Sequence, residues 1–261
     1  MGLFLGGRPV IVDDVPHWGL DLVDPDEDFS AAQFKDYAEK KIADILKRGK
    51  LPVLVGGTGM WIWSIVDNLS LTETPPDPVL RAELEKRHLD DLFAEYKRLD
   101  PDGAEVIDRD NPRRVIRALE VTKKTGKPFS AQMTKGESLY NAIQIGLDVE
   151  REELNARIDN RVDEMIAKGF VNEVRALKES YGCDAPGMSA IGYKQICSFL
   201  DGKSSLADVI AETKIATRKY AKRQMTWCRR DDRIKWVKGE ADAINAVIAR
   251  RESSTDEAIP L

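Results

Sequence analysis

Four residues, Gly56-Gly57-Thr58-Gly59, follow the apolar run "LPVLV" (51–55) and lead into "MWIWSIVDNL" (60–69). Glycines after a strand let backbone N–H groups and the next helix's N-terminus face an anion, and they leave room for close approach. Thr58 adds a hydroxyl at the same point. Such a turn also needs glycine for steric reasons alone. The loop is therefore open to three uses: holding a phosphate, placing a hydroxyl, or only turning the chain.

A second candidate is "TRKYAKRQMTWCRR" (217–230). Arg218, Lys222 and Arg229 recur at helical spacing and would form one cationic ridge, with Tyr220, Arg223 and Trp227 on a neighbouring face. Cations interleaved with aromatics suit phosphate contact plus stacking on an unpaired base; a solvated helix with its aromatics in the core is the competing reading. "SAIGYKQ" (189–195) gathers Ser189, Gly192, Tyr193 and Lys194, which could line a channel or simply lead into a helix. Gly202-Lys203-Ser204 is no phosphate loop. Cys197 stands where the upstream glycine of G-x-x-x-x-G-K-[ST] belongs, and the segment follows a helix.

The whole chain narrows these options. Its 261 residues are 42% hydrophobic and 33% charged, the balance of a globular protein with a sizeable core. No apolar run approaches the roughly 18 residues of a membrane span, and "MGLFLGG" lacks the basic start of a signal peptide. Three widely spaced cysteines, Cys183, Cys197 and Cys228, argue for a reducing compartment without a disulfide framework, hence the cytoplasm. His17 and His88 stand far apart, so no zinc-like cluster is expected, nor any protein-held metal. The net charge of −5 argues weakly against a polyanionic partner, but its distribution argues the other way: Lys214–Lys238 holds ten basic residues against two acids. Residues 111–127 are also basic. An acidic body with basic stripes steers an anion to one face.

The elements that must position these residues follow from periodicity. Ser30 reads as the N-cap of a helix that Gly49 ends. "LPVLV" reads as a buried parallel strand and 60–69 as a buried helix, giving an α/β layer. From about 77 to 135 the pattern is helical and charged. "NAIQIGLDV" (141–149) and "RIKWVKG" (233–239) read as strands. Residues 151–182 form an amphipathic stretch broken near Gly169, and a long helix spans about 206–227. The expected organisation is an α/β core over 1–74 and 140–250, a helical insertion over 75–139, and a flexible tail over 251–261.

In order along the chain, "VPHWGLDLVDPDEDFSAAQF" (15–34), "LVGGTGMW" (54–61), "DRDNPRRVIRALEV" (108–121), "AKGFVNEVRAL" (167–177), "MSAIGYKQ" (188–195) and "TRKYAKRQMTWCRR" (217–230) resemble the tRNA dimethylallyltransferase (tRNA isopentenyltransferase) family. The resemblance runs colinearly from about residue 8 to 238. It implies an α/β fold with a P-loop-NTPase-like three-layer core and a parallel sheet, plus an all-α insertion that grips a tRNA anticodon stem-loop. It implies transfer of a dimethylallyl group from dimethylallyl diphosphate to N6 of the adenine next to the anticodon (position 37), in tRNAs reading codons that start with U. Mg2+ would be bound through diphosphate oxygens, and the protein would act as a monomer.

Residue by residue, the resemblance makes Thr58 the hydroxyl near the diphosphate bridging oxygen. Gly56, Gly57, Arg175 and Arg223 would line the diphosphate channel. It assigns tRNA contact to Arg81, to Arg113, Arg114, Val115, Ile116 and Arg117, and to Ser189, Ala190, Ile191, Gly192, Tyr193 and Lys194. The same role falls to Lys222, Arg223, Gln224, Met225, Thr226, Trp227, Cys228 and Arg229.

One departure bears on catalysis. The family's G-P-[TS]-[AG]-[ST]-G-K-[ST] loop and Asp-Ser-x-Gln segment, which supplies the general base, would precede residue 1, and "LGGRP" (5–9) loosely replaces Gly-Thr-x-Lys-Pro. Either the coding sequence begins upstream of Met1 or the protein is truncated; in the second case the chain is expected to hold half of a diphosphate site, without a base whose contribution is about 10²–10⁴-fold. Two other readings share these residues: a catalytically inactive RNA-binding relative, and an adenylate isopentenyltransferase. The helical insertion disfavours the second, since a small nucleotide needs no such clamp.

Overall fold

The computed structural model describes residues 10–72 and 74–253. The expected "LGGRP" segment and residues 254–261 of the expected tail lie outside them. The chain opens with a hairpin of β1 (Val10–Val12) and β2 (Val15–His17), followed by α1 (Ala31–Lys47) and α2 (Gly59–Val66). Five helices come next: α3 (Pro78–Leu84), α4 (Leu89–Leu99), α5 (Pro101–Val106), α6 (Pro112–Thr125) and the short α7 (Phe129–Gln132). β3 (Gln144–Leu147), α8 (Arg151–Ala167), α9 (Phe170–Tyr181), a 3-10 turn (Pro186–Ser189) and α10 (Tyr193–Leu200) then lead to α11 (Leu206–Cys228). β4 (Ile234–Val237) and α12 (Glu240–Ser253) complete the described chain.

The chain divides into two compact units. One holds the described residues up to Phe29, Val55–Gly59, and those from Asn141 on; the other holds Ser30–Leu54 and Met60–Tyr140. In the first, β3 and β4 pair in parallel, Gln144 opposite Ile234 through Leu147 opposite Val237. Its core is helical: Phe170 and Val174 of α9, Met188, Ile196 of α10 and Val209 of α11 pack together. Gly169, at φ +96°, makes the break between α8 and α9 that its position in the pattern predicts. Gly202 to Ser204 form the turn between α10 and α11.

In the second unit, α1 starts at a capping box: the Ser30 hydroxyl accepts from the Gln33 N–H, and the Gln33 side chain accepts from the Ser30 N–H. Phe34 of α1 packs on Trp61 of α2, ring centroids 4.5 Å apart. Helices α3 to α6 enclose Leu84, Leu92, Tyr96, Val115 and Leu119. Glu120 of α6 stands on this buried face with no exposed surface. Its carboxylate accepts two hydrogen bonds from Arg81, one from Arg117 and one from the Asp77 backbone N–H. A buried charge is tolerated only when it is so fully paired.

Several expectations are corrected. Residues 51–55 form no strand, and Val53 and Val55 are 74% and 86% exposed. An apolar run becomes a strand only when a neighbour takes its N–H and C=O groups, and among the described residues none does. Cys183 and Cys197 are joined by a disulfide, with Cα atoms 6.1 Å apart, because the end of α9 and α10 meet in one core. The cysteine count hid this pairing. The approach to α1 is not wholly irregular: Asp13 and Asp14, both at positive φ, turn the β1–β2 hairpin. The helix α12 was not expected, and its last residues replace the start of the expected tail. Among the described residues no helix is long and apolar enough to cross a membrane.

Burial pushes the Glu120 carboxyl up, but the hydrogen bonds from Arg81, Asp77 and Arg117 outweigh it and hold the group below the usual carboxylate range. The folded state therefore binds this proton less readily than the unfolded chain. The stabilisation is complete above the unfolded value of about 4.3 and is lost as pH falls through the lowered folded value. Glu120→Ala is expected to cost about 3 kcal/mol in urea unfolding, the low end for a broken buried pair because both guanidinium groups reach water. It should also flatten the fall in Tm below about pH 4 that this carboxylate contributes.

Candidate functional site

The loop 56–59 lies against the C-terminal half of α11, and glycine is what allows the approach. A Cβ on Gly57 would lie 1.8 Å from the Gln224 side-chain amide; one on Gly59 would lie 1.4 Å from the Trp227 ring. Gly56 faces open space. Between the two sealed glycines Thr58 is exposed, and its Oγ1 lies 3.2 Å from the Tyr220 Oη. Tyr220, Arg223, Gln224 and Trp227 are spaced i, i+3, i+4 and i+7, so one stripe of α11 forms the seat. The exposed Arg223 guanidinium sits over the Tyr220 ring, 5.6 Å from its centroid. The loop thus places an accessible hydroxyl against a tyrosine whose ring carries an exposed cation.

The rest of α11 is fixed by α8. Arg218 donates to Asp159 at 3.1 Å and Lys214 to Asp163 at 2.7 Å. The supposed ridge is therefore uneven: Arg218 is engaged within the fold, Lys222 is exposed, and Arg229 is exposed with Asp148 3.8 Å away. Met225 and Cys228 are half-buried, and burial followed by the nearby Asp231 pushes the Cys228 thiol up. Thr226 is exposed, its hydroxyl donating to the Lys222 carbonyl. Arg175 is exposed on α9 and donates to Asn172 of its own helix.

In the segment 189–194, Ser189, Ala190, Ile191 and Lys194 are exposed while Gly192 is buried. Tyr193 donates to Glu173 at 2.6 Å and meets Phe170 edge-on, so its ring braces the segment. Burial and the Glu173 hydrogen bond push its phenol well up, leaving it a neutral donor. On α6 the sequence assignment divides. Arg113 and Arg114 are exposed at the first turn, whereas Val115 and Ile116 are buried side chains of the core. Arg81 and Arg117 are held by Glu120.

The seat of the loop and the Glu120 clamp were missed in the sequence. The clamp left a signal: a carboxylate four residues after Ile116, on the apolar stripe of α6, must find cations. Among the described residues no group of three or more His, Cys, Asp or Glu side chains could hold a metal ion.

The family model described as "IPP transferase" matches residues 10–231. The chain belongs to the IPP transferase family. It is 42% identical over 234 residues to the tRNA dimethylallyltransferase of Anoxybacillus flavithermus, covering 89% of this chain and 75% of that protein. The Bacillus subtilis tRNA dimethylallyltransferase is 40% identical, covering 86% and 74%. Among solved structures, the tRNA isopentenylpyrophosphate transferase of Bacillus halodurans superposes with a TM-score of 0.64 at 36% identity, over 93% of this chain and 78% of that one. A eukaryotic dimethylallyltransferase captured acting on tRNA gives 0.73 at 26% identity, over 95% and 67%. This mostly helical α/β chain with its small parallel sheet has the P-loop-like fold of the IPP transferases.

Three single substitutions separate the roles of the loop glycines in this family member. Gly59→Ala is expected to lower stability by about 1–3 kcal/mol, because an aromatic ring must be displaced. Gly57→Ala should cost less, since the end of the flexible Gln224 side chain can move aside. Gly56→Ala should leave Tm unchanged. Thermal unfolding of the three variants checks the order.

Proposed function

We propose that this chain catalyses transfer of the dimethylallyl group of dimethylallyl diphosphate to the N6 amine of the adenine beside a tRNA anticodon, in tRNAs reading codons that begin with U. The observation that carries this reading is the exposed Thr58 hydroxyl, set on a glycine loop against the basic helix α11 in a member of this family. The N6–carbon bond forms as the carbon–oxygen bond to diphosphate breaks, and the proton that N6 gives up passes to an oxygen of the departing diphosphate. A neutral aromatic amine is a weak nucleophile, so the rate depends on stabilising the departing diphosphate and on keeping water from the allylic carbon.

In this reading Thr58 donates to the diphosphate, and Arg223 and Arg175 supply positive charge to it. Mg2+ supplies charge neutralisation when it arrives with the diphosphate. The helical region 75–139 grips the anticodon stem-loop, with Arg113 and Arg114 facing phosphates. Ser189–Ile191, Lys194, Lys222 and Arg229 give further polar and cationic surface for RNA, and basic and stacking groups support extrusion of the adenine.

We place the protein in the cytoplasm with its RNA substrate. There the Cys183–Cys197 bridge meets thiol reductants. Val174, Met188 and Ile196, almost wholly buried beside it, hold the same elements together by packing.

Incubation with dimethylallyl diphosphate, Mg2+ and an anticodon stem-loop should give RNA carrying one five-carbon prenyl unit on adenine, read by mass spectrometry. RNA binding without product would overturn the enzymatic reading and favour a binding protein. Product on free adenine nucleotides but not on the stem-loop would favour the nucleotide-prenylating alternative. Arg113→Ala with Arg114→Ala should weaken stem-loop binding and lower the salt slope of log Kd by about one for each phosphate that the protein no longer neutralises.

A further inference from the structure

We propose that Tyr220 is the positioning residue that aims the Thr58 hydroxyl; this rests on the prenyl-transfer reading above. Thr58 and Tyr220 are 162 residues apart in sequence, yet their oxygens stand 3.2 Å apart. Either oxygen could donate, and the chemistry selects the direction. A phenol, with a pKa near 10, is a far stronger donor than an aliphatic alcohol. With Tyr220 donating, the Thr58 oxygen accepts, and its own proton is left to point outward to an anion. A Tyr-to-Thr-to-diphosphate chain polarises in one direction, so each bond strengthens the next.

Two further features support this direction. The Arg223 guanidinium over the Tyr220 ring draws density from the phenol and makes it a better donor. The sealed contacts at Gly57 and Gly59 stop the loop from sliding along α11, so Thr58 stays within reach of a single partner. A threonine hydroxyl on an exposed loop would otherwise rotate, and its hydrogen bond to the leaving group would form only part of the time. Tyr220 is half-buried, its ring filling the seat while its oxygen reaches the loop.

The test is a double-mutant cycle of wild type, Tyr220→Phe, Thr58→Ala and the double variant. Phenylalanine keeps the ring and its contact with Arg223 and removes only the oxygen. Tyr220→Phe is expected to lower kcat for stem-loop prenylation about three- to tenfold, the range of one neutral hydrogen bond. Stem-loop Kd and Tm should remain at wild-type values, and the double variant should be no slower than Thr58→Ala alone. Independent, multiplicative losses would overturn the proposal, as would a Tyr220→Phe variant that matches wild type or loses Tm and RNA affinity along with rate. Inorganic pyrophosphate affinity, measured by calorimetry on the same four proteins, separates this idea from the functional reading. If wild type gives no prenylated RNA, the functional reading fails. A pyrophosphate Kd weakened equally in all three variants would then still uphold the positioning role, and additive weakening or no weakening would overturn it.

Discussion

A backbone cannot lie flat against a helix carrying tryptophan and glutamine unless the backbone brings no side chains to the contact. That constraint governs the loop 56–59. Gly57 and Gly59 meet Gln224 and Trp227 at distances that leave no space for a methyl group, and the residue between them, Thr58, is exposed with its hydroxyl reaching the Tyr220 end of the seat. Packing of this density admits few alternative arrangements. A hydroxyl whose position matters is therefore fixed by the two neighbours that lack side chains. Tyr220 adds a bond from one side, and Arg223 stands one turn further along.

The cations are sorted by what lies beneath them. Arg81 and Arg117 share the buried Glu120, while Lys214 and Arg218 pair with Asp163 and Asp159 across α8 and α11. Their charges are offset locally, and their work is to hold helices. Arg113, Arg114, Lys194, Lys222 and Arg223 are exposed. They contribute field at the surface, where a polyanion gains from it. A net charge of −5 therefore says little about which faces attract RNA. The carboxylates that make up the total are partly those that neutralise the structural arginines.

Local rules made much of the fold legible. The Ser30 cap, the break at Gly169 and the β3 and β4 runs depend on residues near each other in the chain, and each was readable from type and spacing. The failures share a different cause. Residues 51–55 have the composition of a buried strand, but strand formation depends on partners elsewhere. Cys183 and Cys197 meet only because α9 and α10 share a core. At the site, Thr58 and Arg223 were singled out through the family resemblance, and both are exposed. The partner of Thr58 was not, since nothing in "TRKYAKR" says that Tyr220 faces a loop 162 residues earlier rather than a base. Val115 and Ile116 show what a motif carried over whole contains: residues that build the helix core as well as those that face outward.

The length of α11 explains how a surface hydroxyl can depend on a core. At 23 residues the helix runs about 34 Å. Near its N-terminal end Val209 is fully buried with α9 and α10, and Thr213 is buried one turn on. The ion pairs to α8 follow at Lys214 and Arg218, and the seat for the loop begins at Tyr220. Each segment of the helix is held before the next is used, so the stripe 220–227 inherits its position from packing and ion pairs rather than from the loop it supports. The site then needs only short-range contacts to complete it: two bare glycines, one hydrogen bond, and a guanidinium above a ring.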